Sequence, residues 1–227
     1  MEVELIHRPG NTAAKVSLNV GETITAEAGA MIAMSGNMDI TTTTHKKKQK
    51  GFLKAAKRML AGESLFLNHF EPKDKPGEVF FGTSLSGDMM TLALEKGSLI
   101  VQSGSYLASE EGVEVDLGWQ GFKSLLSGES VFWLNLKGSG KIIVSSFGAI
   151  YPVQIDGEYI VDSGHIVAFD ETLDFSITKA GKSWLHSYLG GEGLVCKFKG
   201  TGTIWCQSHS VSSFGQALRP SLRMRKA

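Results

Sequence analysis

The sequence predicts an all-β protein with three short helices, built from three divergent copies of one β unit, and three observations predict it. The segments AEAGAMIAM (26–34), VQSGSYLAS (101–109) and VDSGHIVAF (161–169) share one pattern. Its polar column is Glu27, Gln102 and Asp162; its glycine column is Gly29, Gly104 and Gly164; its alanine column is Ala33, Ala108 and Ala168. A second triplet follows each of these: RMLAGESLFLNHF (58–70), SLLSGESVFWLNL (124–136) and SYLGGEGLVCKFK (187–199), with the pairs Gly62-Glu63, Gly128-Glu129 and Gly191-Glu192. Two blocks recurring three times in one order mark an internal repeat. Finally, 27 glycines against 5 prolines suit many tight turns between strands.

Within each unit the local signals follow one order. A turn glycine (Gly21, Gly97, Gly157) comes seven or eight residues before the glycine column. Alternating apolar positions then mark strands at Met38 and Ile40, at Val113, Val115 and Leu117, and at Leu173, Phe175 and Ile177. Next come apolar residues at helical spacing: Phe52, Ala56, Met59 and Leu60; Phe122, Leu125 and Leu126; Trp184, Leu185 and Leu189. The Gly-Glu pair ends each helix, because glycine readily takes the left-handed conformation of a helix C-terminus. Lys137-Gly138-Ser139-Gly140 and Lys199-Gly200-Thr201-Gly202 then read as the turns of Gly-containing hairpins. Three such units amount to about fifteen strands of ordinary length. They divide a single compact domain, residues 1–227, at approximately 1–84, 85–148 and 149–227. Packing around a pseudo-threefold axis would bury the apolar columns together, and linear stacking satisfies the same pattern. A chain of this length can bury a sizeable core without metals or disulfides.

Formal net charge is zero but unevenly spread. Lys46, Lys47, Lys48, Lys50, Lys54, Lys57 and Arg58 form a run without an acid, and Arg219, Arg223, Arg225 and Lys226 form a second. The remainder holds twelve basic against twenty-three acidic residues, an acidic body with two basic segments. The first run falls where the first unit is longest: 33 residues separate Gly29 from Gly62, against 24 and 27 in the others. Residues 41–58 therefore read as a basic insertion, starting at Thr41-Thr42-Thr43-Thr44, that leads into a helix, and 211–227 as a basic tail that is loosely ordered. The Lys-rich run is the candidate surface for an anionic partner. Interleaved aromatics are nearly absent, with only Phe52 inside it, which disfavours single-stranded nucleic acid.

Catalytic and metal signatures are missing. Two cysteines, Cys196 and Cys206, are too few for a disulfide scaffold or a zinc site. They read as buried, reduced thiols facing each other across the last hairpin. The six histidines form no ligand-spaced cluster, Ser208-His209-Ser210 lacks a nucleophile elbow, and no phosphate-binding loop is present. No cofactor is expected. The N-terminus lacks the apolar core of a signal peptide and no 18-residue apolar run exists, so a cytoplasmic location, at most peripheral to a membrane, is the expectation.

The motifs AEAGAMIAMSG, SGSYLASEEGVEVD, FKSLLSGESVFWLNLKGSG, VDSGHIVAFDETL and GGEGLVCKFKGTGTIWCQS resemble the altered-inheritance-of-mitochondria (mitochondrial biogenesis) family and its prokaryotic relatives, from about residue 2 to 210. The resemblance implies a fold like the tryptophan RNA-binding attenuation protein (TRAP), a compact variant of the double-stranded β-helix. It also implies homo-oligomers, with trimers favoured, and for mitochondrial relatives a link to inner-membrane organisation without a described reaction. It supplies no catalytic residues, and fold likeness does not import RNA binding. The function expected is that of a non-enzymatic interaction or scaffold protein, a homo-oligomer presenting a β surface to a protein partner or an anionic membrane. The alternatives are a small-ligand binding protein with its site between repeats or subunits, and a nucleic-acid binder using the basic insertion.

Overall fold

Alternating apolar residues flanked by glycine turns build a mostly β molecule. The computed structural model describes residues 1–44, 66–116, 133–179 and 194–222. Fifteen strands lie among them: β1 (Glu2–Ile6), β2 (Ala13–Leu18), β3 (Ile24–Glu27), β4 (Met31–Met34), β5 (Met38–Thr44), β6 (Phe66–Pro72), β7 (Gly77–Phe81), β8 (Met89–Gln102), β9 (Tyr106–Glu110), β10 (Val113–Asp116), β11 (Trp133–Ser145), β12 (Ile150–Asp162), β13 (Ile166–Asp170), β14 (Asp174–Lys179) and β15 (Leu194–Gln207). They form a four-stranded sheet ordered β1-β2-β7-β4 and an eleven-stranded sheet ordered β12-β15-β13-β8-β11-β9-β3-β6-β5, with β10 on β11 and β14 on β15. The three expected helices and the Gly-Glu pairs fall outside the described residues.

Two runs of elements follow the same order. Strand β8 leads through a 3₁₀ turn, Ser103–Ser105, into β9, β10 and β11; strand β12 leads through Ser163–His165 into β13, β14 and β15. The first strand pairs the last along nearly its whole length in both runs. In the N-terminal part β2 pairs β7 and β3 pairs β6, in two different sheets.

The hairpins expected at residues 137–140 and 199–202 are not turns. Strands β11 and β15 run straight through them, because the bend is shared with the partner strand: Gly138 lies opposite Gly97, and Gly200 opposite Gly157. Gly138, Gly157 and Gly200 have φ near +117°, +115° and +117°, a region that costs little only for glycine. A bulge at Gly138/Ser139 re-aims β11 without ending it. Cys196 and Cys206 consequently share one strand rather than facing each other, roughly 30 Å apart along the chain. Both are free and buried, and burial pushes their thiols up to about 12 and about 11.

Two further expectations change. Thr41–Thr44, read as the start of the insertion, continues β5 and pairs with Phe66–His69. The β-branched threonines suit a strand, and their hydroxyls are used: Thr42 Oγ1 donates to Asn68 Oδ1 at 2.8 Å and Thr43 Oγ1 lies 2.7 Å from His69 Nε2. The tail does not start loose. Val211–Leu218 is a helix, α1, followed by a 3₁₀ turn at Arg219–Ser221. The Ser210 hydroxyl accepts from Ser213 N and caps it.

The core is made by inward-facing strand residues in three clusters. In the largest aromatic group Phe169 stacks on Phe175 with ring centroids 5.1 Å apart, while Phe198 and Trp133 meet Phe169 edge-on at 5.1 and 5.3 Å. These edge-to-face and offset contacts add to the burial energy.

Candidate functional site

The polar, small, glycine motif found three times in the sequence makes three turns that line one cleft of about 660 Å³, within the roughly 300–1,000 Å³ typical of small-molecule sites. Glu27, Ala28, Gly29 and Ala30 come from the first turn, Gln102, Gly104 and Ser105 from the second and Gly164 from the third. Strand ends supply Ser145, Ser146 and Gln207, and α1 supplies Val211, Ser212 and Gly215 as a wall. The helix is held there by Phe214 against Phe147, with ring centroids 5.3 Å apart.

Most polar groups of the cleft are engaged in holding it. Ser146 Oγ donates to the carbonyls of Asp88 and Gly148 at 3.1 and 2.8 Å. The Gln207 amide accepts from Phe147 N and donates to Gly164 O, both at 2.9 Å. Asp162, the third member of the polar column, turns back on its own loop and accepts from Gly164 N at 2.8 Å. Four groups are left over. Among the described residues, the Glu27 carboxyl, the Gln102 amide and the Ser105 hydroxyl, together with the exposed Ser84 hydroxyl at the rim, have no hydrogen-bond or ion-pair partner. Glu27 is the single titratable side chain among the described residues of the lining. Burial pushes its carboxyl up to about 7, from an ordinary 4.5, because no cation offsets the loss of water.

A second feature lies at the sheet edges. Strand β3 pairs β9 (Thr25 opposite Ser109) and β8 pairs β13 (Ile100 opposite Phe169). The matching strands by sequence are β12 and β4, and among the described residues neither has a partner on that side. Exposure follows. In the second and third motifs Tyr106, Leu107, Ile166 and Val167 are at most 2% exposed, whereas their counterparts Met31 and Ile32 are 38% and 61% exposed. Ile160 is 56% exposed where its counterpart Ile100 is fully buried. Tyr151 and Tyr159 extend the same edge of exposed apolar groups.

Lys46, Lys47, Lys48, Lys50, Lys54, Lys57 and Arg58, the candidate anionic-partner surface, lie outside the described residues. Neither the cleft nor the edges were assigned from sequence. The signal for the cleft was present, since every member of the repeated polar and glycine columns except Asp162 lines it. The signal for the edges was the exposed pair Met31-Ile32, but an apolar dipeptide looks the same whether its strand is covered or bare. No described helix is long and apolar enough to cross a membrane.

Comparison with known proteins agrees with these observations over almost the whole chain. An uncharacterized protein of Streptococcus pyogenes serotype M6 is 26% identical over 211 residues, 90% of this chain and 84% of that protein. A crystal structure of a Streptococcus pyogenes protein superposes with a TM-score of 0.80 at 24% identity, covering 97% of this chain and 99% of that one, which shows a shared fold. The family model described as mitochondrial biogenesis AIM24 matches residues 3–209, and the chain belongs to that family.

Proposed function

We propose that this protein is a non-enzymatic assembly protein, a scaffold of the cytoplasm that forms homo-oligomers by joining β4 of one copy to β12 of the next. The carrying observation is the unequal exposure of matching residues. If the chain is a triplication of one TRAP-like unit, each unit offers one strand to its successor. Two of the three joints are made inside the chain, through β3·β9 and β8·β13. The third is open, and its two halves carry Met31, Ile32, Tyr159 and Ile160 to the surface. An unpaired apolar edge is a template for another strand, and a second copy presents the half that fits. Such a contact is head-to-tail, so a rotation that closes it makes a ring, and a trimer is the number the family resemblance favours. Light scattering on the eluting protein tests this. A multiple of the 24.5 kDa chain is expected, falling to monomer in Ile160→Lys; a monomer at every concentration sinks the reading.

A second reading, attachment to an anionic membrane, is favoured by α1. Val211, Phe214 and Leu218 are 56%, 41% and 39% exposed, spaced to form one apolar stripe, and Arg219 follows directly. The helix itself carries no charge, so the apolar stripe would enter the membrane interface with Arg219 against the anionic headgroups. Sedimentation with phosphatidylserine vesicles should be lost in Phe214→Ser; equal sedimentation of the variant removes this reading.

A further inference from the structure

Unpaired acceptors in a cleft without a cation define what could fill it. The Glu27 carboxylate, the Gln102 Oε1 and the Ser105 Oγ all line the cleft as hydrogen-bond acceptors, and an ammonium group has three hydrogens to give. Around them stand apolar groups of Ala28, Ala30, Leu85, Leu107, Phe147 and Val211. No lysine or arginine lines the cleft among the described residues, so an anion would meet only an acid, and a neutral ligand would leave that acid without a counterion.

We infer that the cleft binds a small free alkylamine as its ammonium ion, with Glu27 as counterion, Gln102 and Ser105 as further acceptors, and the apolar wall against the alkyl stem. A half-buried carboxylate gains from a cation that enters with it, since each offsets the desolvation cost of the other. The site is contained in one chain, so it stands or falls independently of self-assembly.

Because burial lifts the Glu27 carboxyl to about 7, a cation must displace a proton below that pH. Its apparent affinity therefore rises about tenfold per pH unit from 5 towards 7 and levels above it. The probes are n-butylammonium, n-butanol as the uncharged isostere and butyrate as the opposite charge, each titrated into the full-length protein by NMR chemical shift. Butylammonium should bind with that pH profile, butanol at least tenfold more weakly, and butyrate not at all. Glu27→Gln should lose at least tenfold and flatten the profile. Gln102→Leu should lose several-fold and keep the profile, which separates loss of an acceptor from loss of the counterion. Equal binding of butanol and butylammonium, a flat profile in the native protein, or a Glu27→Gln variant that binds as well would each overturn the assignment.

Discussion

Replacing Glu27 by glutamine should make the protein more stable at alkaline pH and leave it unchanged in acid. An acid whose folded pKa lies above its unfolded value is bound more tightly to its proton in the folded state. Its contribution is therefore fully present below the ordinary 4.5 and is lost as pH rises towards about 7. At about 1.4 kcal/mol per pH unit the gap corresponds to roughly 3 kcal/mol as an upper bound, and residual solvent around the half-buried carboxyl lowers it to about 2. The glutamine amide cannot ionise, so the difference between variant and native should grow from about 0.5 kcal/mol at pH 5 to about 2 kcal/mol at pH 8. Urea unfolding at pH 5, 6, 7 and 8, at one fixed protein concentration, measures it. A difference that does not change with pH would refute the reasoning, because it would mean that Glu27 titrates alike in both states.

Other predictions rest on single contacts. Gly87→Ala places a Cβ 1.8 Å from the Ser146 carbonyl oxygen, in backbone that cannot move aside, and should cost about 2 kcal/mol or more by thermal denaturation; Gly104→Ala meets nothing within 4 Å and should cost well under 1. Phe198→Ala empties a fully buried site in the aromatic group and should cost about 3–5 kcal/mol in urea. Asp88 is buried yet held below the ordinary carboxylate range. Burial raises it, but bonds from Arg8, Thr12 and Met89 N together outweigh that. Its stabilising share is present at neutral pH and fades as pH falls below 4, so the deficit of Asp88→Asn should shrink in acid, read by the same urea series.

How far the sequence alone carried the fold depends on the element. The three motifs around Gly29, Gly104 and Gly164 were legible because the same small residues recur in the same order, although the structure requires glycine only at Gly29, with φ +93°, and at Gly164, where a Cβ would lie 2.4 Å from Ser210 Oγ; they became the lining of the cleft. Residues 137–140 and 199–202 misled, since a glycine of positive φ serves a hairpin turn and a bend in a long strand equally well. What decides between them is the facing glycine, Gly97 or Gly157, which lies 41 or 43 residues away in the chain and is invisible to local reading. The unpaired state of Glu27 was equally hidden. Its column partner Asp162 differs by one methylene and folds back on Gly164 N, a distinction set by reach rather than residue class.

The joint between β4 and β12 is tested most directly by blocking one half in each of two proteins. Ile32→Lys disables β4 and Ile160→Lys disables β12, so each alone should be monomeric by native mass spectrometry. Mixed, the intact β12 of the first can still receive the intact β4 of the second. The account predicts a 1:1 heterodimer at twice the chain mass and nothing larger, because both remaining edges are blocked. Either variant assembling fully on its own, or a mixture that stays monomeric while the native protein assembles, would contradict it.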